Sequence, residues 1–445
     1  MADLRAAWAA LTGSLWFVPG SIVLVAILLA VGMIELSSVV DPSVLARWPR
    51  VFGAGAEGSR SMLAAIASSM ITVAGVTFSI TMVAVTQASS QYTPRILRNF
   101  MRDRANQVVL GVFVGIFAYC LVVLRTIRGQ EEPTFVPSLA VLLGVLLALL
   151  GIAVLIFFVH HIATTLQASE ITARVFRETV AAVAQVFPGT VADELGDPEP
   201  ARLVALVPEG SWRPVLSRTT GYVQRIDLEG MTRVARKAGL LLRLECVAGE
   251  FTVAGLPAAW YAPHPSAAPR AGAAEDQGVN GKIPGFYVVS SYRTIDEDPA
   301  FGIRQLVDMA LKAISPGIND TTTAITCVDY IGAILVHLAR RRVEDPRRDE
   351  DEVVRVVAPR PTFEGLLALA YDEIRQSAGT NVSVLGRQLE TLAQLGREVP
   401  VRSRRAAVSR QVELVQQATA AVPSPHDREH LDRAAREARE AAGWP

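Results

Sequence analysis

Between Ser61 and Gln91 the chain carries no charge, yet about a third of the residues bear a hydroxyl. At about 100° per residue, Ser61, Ser68, Thr72, Gly75, Ser79, Thr86 and Ser90 fall within an arc of about 60°, a continuous small and hydroxylated stripe on one side of a helix. The opposite side holds Ile66, Ile71, Val73, Phe78 and Ile80. In a bilayer such a stripe can line a hydrated path, let neighbouring helices approach and hydrogen-bond, or form a groove for lipid or a small ligand. Packing has small surfaces to meet in Gly111, Gly115 and Ala118, and in Ala140, Gly144, Ala148 and Gly151. A pore would need symmetry-related copies of the helix, because a few spans rarely enclose a wide path alone.

A second group of polar residues is Ser315-Pro316-Gly317-Ile318-Asn319-Asp320, followed by hydroxyls at Thr321, Thr322 and Thr323. It reads as a turn entering a helix with Asn319 or Asp320 as N-cap, and capping accounts for these residue types. Free N–H groups at a helix start also hold anions, so Ser315, Gly317, Asn319, Asp320 and Thr321 form a candidate ligand loop. Arg293 or Lys312 would supply positive charge there, and Asp320 would oppose it. The stretch Arg293–Asp298 is read as a solvated turn or as a pairing partner of that loop.

Metal and nucleophile signals are weak. His426 and His430 have i, i+4 spacing without a third ligand, and the adjacent His160 and His161 diverge by about 100° on a helix. Gly53-Ala54-Gly55-Ala56-Glu57-Gly58 fits GxGxxG but follows no strand, so it reads as a loop. Cys120, Cys246 and Cys327 are far apart and read as buried thiols. No nucleophile elbow, P-loop or HExxH is present, and the sequence implies no metal and no cofactor.

The elements that carry these residues begin with four apolar runs, Leu15–Ile34, Met62–Ala88, Val108–Leu124 and Phe135–Val159, each long enough to cross ~30 Å of hydrocarbon. Arg95, Arg98, Arg102 and Arg104 are the densest basic cluster between spans, which puts that loop and both termini in the cytoplasm. Helical spacing continues past His161 through Ile171, Val175 and Val183 to Phe187, as a stalk that ends at Pro188-Gly189 before a Pro-rich acidic linker. Strands are expected at Gly221–Asp227, Leu240–Val247, Glu250–Val253, Phe286–Ser291 and Val353–Val357. Helices are expected at Leu228–Ala238, Pro299–Ile314, Asp320–Arg341, Thr362–Gln376, Val382–Gly396, Arg402–Ala421 and Pro425–Ala442. Ala262–Gly281 reads as a flexible excursion.

The predicted class is therefore membrane α-helical, with about four transmembrane helices, plus a C-terminal α+β cytoplasmic domain. Its parts are a transmembrane unit at 1–160, a stalk and linker at 161–200, the α+β domain at 201–400 and C-terminal helices at 401–445.

Three stretches, Ser14-Leu15-Trp16-Phe17-Val18-Pro19, Thr86-Gln87-Ala88-Ser89-Ser90-Gln91-Tyr92-Thr93-Pro94-Arg95 and Ser315–Asp320, together resemble the bacterial membrane proteins grouped as domain of unknown function 2254. The resemblance covers roughly residues 10 to 400 and implies a multi-pass inner-membrane protein, with a proline where Thr321 stands here. It brings no catalytic residue with it.

With 43 basic and 43 acidic side chains the formal charge balances, so no global field favours nucleic acid. The functional expectation is an oligomeric channel or transport-like protein in contact with membrane lipid, whose cytoplasmic domain answers an ion or small-molecule effector. The rival class is a membrane-anchored scaffold or sensor without transport, and a membrane enzyme stands third because no acid–base pair or nucleophile stands out.

Overall fold

The computed structural model describes residues 16–39, 55–91, 104–128, 135–165, 168–187, 189, 199–265, 280–342, 347–348, 353–359 and 361–443. The chain divides into two compact units, Met1–Gln167 and Ala168–Pro445. The arginines at 95, 98 and 102, Gly53, and most of the expected linker and excursion lie outside the described residues.

The first unit consists of α1 (Phe17–Val39), α2 (Ala56–Gln91), α3 (Arg104–Thr126) and α4 (Ser138–Thr165). Its core joins Ala30 of α1, Leu63, Ala67, Met70 and Ala74 of α2, Phe113, Ile116, Tyr119 and Val123 of α3, and Ala140, Val141 and Phe158 of α4. The helices approach closely because small residues meet large ones. A Cβ at Gly111 would lie 2.8 Å from Ile22 Cδ1 and 2.9 Å from Pro19 Cα, so α1 seats on the glycine side of α3. Polar groups are also satisfied between segments: Tyr119 Oη donates to the Ala140 carbonyl (2.8 Å), and Arg60 donates to the carbonyl of Ile127, just past the end of α3 (2.6 Å). Outward residues such as Leu28, Val83, Leu149 and Ile156 are large, apolar and exposed, the surface of a helix that meets lipid.

The second unit opens with α5 (Ala168–Val186) and α6 (Glu199–Leu206). Next come β1 (Arg213–Leu216), β2 (Gly221–Ile226), α7 (Leu228–Ala238), β3 (Leu240–Leu244), β4 (Phe251–Thr252), β5 (Pro257–Pro263) and β6 (Tyr287–Ser290). The chain continues through α8 (Pro299–Ile314), α9 (Thr321–Ala339), β7 (Arg347–Arg348) and β8 (Val354–Val357). It ends in α10 (Phe363–Ala378), α11 (Val382–Glu398), α12 (Arg402–Thr419) and α13 (Pro425–Ala441).

One sheet has the order β1-β5-β3-β8-β7 and the other β4-β2-β6. Among the described strands every pairing is antiparallel except β3 with β8, where Leu242 faces Val356. Val215, Val223, Ile226, Leu242, Leu244, Ala259, Tyr261 and Val356 of the two sheets share one core with Met231 and Ala235 of α7. That helix starts on the Asp227 carboxylate, which accepts from Gly230 N (2.8 Å), and stops at Gly239 in the left-handed conformation (φ 67°).

The segment expected as a stalk packs within this unit. Ile171, Val175, Ala182 and Val183 of α5 are buried, and Gly302 of α8 faces Thr179 so closely that a Cβ would fall 2.0 Å from Thr179 Oγ1. The apolar spacing read as a stalk is the buried face of a core helix.

Five helices among the described residues are long and apolar enough to cross a membrane: α1, most of α2, α3, α4 and α9. The last also fits the interior of the second unit. Cys327, Val328, Ile331, Ile334, Leu335 and Leu338 are fully buried there, and Asp329 pairs with Arg387 of α11 at 2.9 Å. Arg404 of α12 donates to the carbonyls of Ala339 (2.8 Å) and Arg341 (2.9 Å), satisfying the C-terminal end of α9.

Candidate functional site

The hydroxyl stripe lies on the outward side of α2. Ser61, Ser68, Thr72, Gly75, Ser79 and Thr86 are all exposed, whereas Leu63, Ala67, Met70 and Ala74 turn into the bundle. The side chain of Ser90 lies outside the described residues. Thr72, Ser79 and Thr86 donate to the carbonyls of Ser68 (2.8 Å), Gly75 (2.9 Å) and Met82 (2.9 Å), four residues back on the same helix. The hydroxyl protons are therefore occupied and the oxygens face outward as acceptors. The small residues expected to receive the stripe receive other neighbours. Gly115 meets Ile22 and Ala26 of α1, while Gly144 and Gly151 of α4 meet Leu63 and Met70 from the opposite face of α2.

The Ser315–Asp320 turn is held by its own bonds. Asn319 N donates to Ser315 O (2.9 Å) at a positive φ of 51°, and Asp320 N donates to Ala313 O (2.8 Å). The Asp320 carboxylate accepts from Thr323 N (3.0 Å) and Thr323 Oγ1 (2.6 Å), and these bonds hold its pKa below the usual carboxylate range. Thr321 Oγ1 accepts from Asn381 Nδ2 (3.0 Å) at the start of α11. Ser315 Oγ donates to Lys312 O (2.7 Å), and Gly317 is open to solvent. With the carboxylate on the helix end, the loop is a built cap, and an anion would meet Asp320 first. Arg293 is not beside it: it precedes α8 and the loop follows α8, a helix of 16 residues and therefore about 24 Å long.

A cavity of about 450 Å³ lies in the second unit where β2, β3 and β8 end and α7, α8 and α10 begin. Ile226, Leu244 and Ala358 bring the strand ends, Leu228, Pro299 and Pro361 the helix starts, Val247 and Ala248 the turn between β3 and β4, and Gln185, Val186 and Phe187 the end of α5. Open sheets place ligands outside the carboxyl ends of strands for this reason: strand ends diverge and helix starts present donors. Here each helix start is capped from within, by Asp227 on Gly230 N, by Asp298 on Phe301 N (3.0 Å) and by Thr362 on Gly365 N (3.1 Å).

Asp298 is almost wholly buried and accepts from Arg293 Nε (2.9 Å) and Nη2 (2.7 Å), with the guanidinium resting over the Phe301 ring. Burial pushes the Asp298 carboxyl above its usual range, against the pull of Arg293. Gly249 closes over this pair: its φ is +92°, and a Cβ there would stand 2.2 Å from Asp298 Oδ2. Glu297 accepts from Ile226 N (3.1 Å), tying the α8 loop to the end of β2. The described residues lining the cavity include no Ser, Thr, Cys, His, Lys or Tyr, and its ionisable side chains are Asp227, Glu229, Glu297, Asp298 and Arg225. Its size suits a small molecule.

Residues 12–394 match the family described as predicted membrane protein, domain of unknown function 2254. The chain belongs to this family. It is 32% identical over 360 residues to uncharacterised proteins of Mycobacterium bovis and Mycobacterium tuberculosis, an alignment that spans 80% of this chain and 67% of each relative. No solved structure matches it.

In this member of the family the three stretches that carry the resemblance serve helix starts and ends where they are described: Trp16 to Pro19 lead into and begin α1, Thr86 lies in the last turns of α2, and Ser315–Asp320 joins α8 to α9. His426 and His430 are exposed on α13, and His161 stacks on Phe157 at 5.6 Å. Ala56–Gly58, the end of the GxGxxG run, form the first turn of α2, while Cys120 and Cys327 are buried and Cys246 is half-buried. The cavity is the site that the sequence reading misses. Its signal is present in three capping residues, Asp227, Asp298 and Thr362, each shortly following a strand, but their convergence is a property of the sheet order.

Proposed function

We propose that this chain is a bacterial inner-membrane protein with four crossings, α1 to α4, and both termini in the cytoplasm, where the second unit lies. It assembles as a homo-oligomer, with copies bringing the hydroxyl faces of α2 together around a hydrated path, and the cavity of the second unit receives the effector. The observation that carries this reading is the outward, exposed stripe of Ser61, Ser68, Thr72, Gly75, Ser79 and Thr86, in which Thr72, Ser79 and Thr86 donate to their own helix and turn their oxygens outward. Placing α9 in the second unit's interior rather than the bilayer is supported by its buried residues and by the Asp329–Arg387 pair. Coupling from effector to path is supported by covalent order: two residues separate α4 from α5, and the end of α5 forms one wall of the cavity.

One observation favours the alternative, a membrane-anchored sensor without transport. The back-bonds of Thr72, Ser79 and Thr86 to their own helix let hydroxyls face lipid at low cost. Ion flux into proteoliposomes of purified protein separates the two. The channel reading expects flux that changes in Thr72→Val and Thr86→Val while assembly persists; wild-type protein that conducts under no ion gradient tried overturns it. For topology, a cysteine at Gly55 should react with an impermeant reagent in intact cells and one at Asn99 should not.

A further inference from the structure

The β4-β2-β6 sheet buries one face and leaves the other bare. Val223, Ile226 and Val289 turn into the core shared with α7. The register sets Phe251 opposite Tyr222 and Val288 opposite Arg225, and these four share the outward face. The Phe251 and Tyr222 rings meet edge-on at 5.0 Å. Past β4 the ridge runs into the uncharged turn Val253-Ala254-Gly255-Leu256, which is joined to the end of β1: Ser217 N donates to Leu256 O (2.8 Å) and Gly255 N to Ser217 O (2.9 Å). Leu216, Phe251, Val253, Leu256 and Val288 are each between 39% and 56% exposed. Singly such residues are ordinary; five of them along one sheet face and its turn mark a surface that meets something apolar.

Cations flank this face. Arg218 donates to the Gly281 carbonyl (2.7 Å), which places it next to Lys282 in the chain, and Arg225 stands beside Val288. None of the three has an ion pair among the described residues. The acids nearest in sequence are engaged by backbone donors, Asp227 by Gly230 N (2.8 Å) and Glu250 by Val247 N (2.9 Å). Apolar side chains with a tyrosine among them and arginine and lysine at the margin match the boundary between acyl chains and anionic headgroups. A bilayer is also a surface this unit cannot leave: two residues separate α4 from α5, a tether of at most about 11 Å.

We propose that the outer face of the β4-β2-β6 sheet, with its Leu216 and Leu256 edge, docks on the bilayer that α4 crosses. Phe251, Val253, Leu256 and Leu216 enter the acyl boundary, and Arg218, Arg225 and Lys282 meet anionic headgroups. The inference rests on the reading of α4 as a span and adds a second, reversible contact with the same membrane.

The test uses the full chain in lipid nanodiscs containing about 30% anionic lipid. Cys246→Ser leaves only the fully buried Cys120 and Cys327, so a fluorophore can be attached at one added cysteine. With Val253→Cys, lipid carrying a nitroxide near the headgroup should quench the fluorophore by about half. Quenching should fall about threefold in Arg218→Glu with Lys282→Glu, in Leu256→Asp, and in nanodiscs without anionic lipid. With Ile318→Cys, an exposed apolar site outside the proposed surface, the fluorophore should stay unquenched. Docking is overturned by no quenching at Val253, by equal quenching at Ile318, or by quenching that survives all three perturbations. Shielding of Val253 from aqueous iodide without quenching by the nitroxide lipid also overturns it, since a second copy or another part of the chain then covers the face. A fluorophore on Leu149→Cys, on the outward side of α4, reports the span separately. Quenching there by a nitroxide deep in the acyl chains with none at Val253 removes docking and leaves the span; none at Leu149 removes the span and the tether with it.

Discussion

Replacing Gly302 with alanine puts a methyl group where Thr179 of α5 already stands. The new Cβ would sit 2.0 Å from Thr179 Oγ1 and 2.8 Å from its Cβ and Cγ2. Thr179 cannot turn away freely: it is fully buried, and its hydroxyl donates to the Val175 carbonyl at 2.6 Å. Helix propensity alone favours the substitution by ~1 kcal/mol. Overpacking opposes it by roughly 1–3 kcal/mol, and a displaced, unsatisfied buried hydroxyl adds about 1–3 kcal/mol. Packing wins, and the net loss is about 2–4 kcal/mol, which lowers Tm by roughly 5–12 °C for a unit of this size. The assay is thermal and urea unfolding of the second unit in wild type, Gly302→Ala, Thr179→Ala and the double variant. Thr179→Ala alone should cost about 1 kcal/mol, and the double variant should be no worse than it, giving a coupling of roughly 2 kcal/mol or more. Were Gly302→Ala as stable as wild type, or the two changes additive, α5 would not be seated against α8 as described.

A fragment beginning at Ala168 should unfold cooperatively, while one beginning at residue 201, which strips Val175 and Val183 from the helices they cover, should be less stable by several kcal/mol in the same urea titration. Arg404→Ala should cost about 1–3 kcal/mol, because the carbonyls of Ala339 and Arg341 lose their donor; chemical denaturation measures it. Asp320→Ala should cost about 1 kcal/mol at neutral pH through the lost cap. Because the folded-state pKa of Asp320 is depressed, that contribution is present above the ordinary carboxylate range and disappears as pH falls through the folded-state value. The gap between wild type and variant should therefore close on acidification, and a gap that widens would contradict the assignment. Thr72→Val and Thr86→Val should leave folding within about 0.5 kcal/mol of wild type, since both side chains are exposed in the single chain; a larger loss in a monomer-stability assay would mean that they pack within it.

Much of the second unit is readable locally. Leu228–Ala238 and Pro299–Ile314 come out to the residue because Asp227 and Asp298 cap their starts, and Gly239 and the Ser-Pro-Gly turn stop them. The strands β1 and β5 escape notice because their character comes from neighbours. Pro257-Ala258-Ala259 has weak strand preference, yet β5 sits between β1 and β3 and is paired on both sides. In the first unit the spans and the stripe are visible in the sequence, but the direction of the stripe is not. Two faces of α2 carry small residues, and only the positions of Gly144 and Gly151 show that the side with Ala67 and Ala74 is the one the bundle takes. Arg293 is misassigned for a related reason: nearness in sequence to α8 does not say which end of the helix it serves.

The parallel pairing of Leu242 with Val356 sets an order of events during synthesis. Residues 17–165 leave the ribosome first, and β3 follows with one edge bare, because β8 is still unmade and all of α8 and α9 separates the two strands. Closing a loop of that length is entropically slow compared with forming the helices inside it. Until residue 357 emerges, the fully buried Leu242 and Leu241 lie beside an open strand edge that another chain could join. The vulnerable interval of this protein is therefore the time taken to translate α8 and α9, and a slow codon or a pause in that stretch should raise aggregation of newly made chains without altering the finished protein.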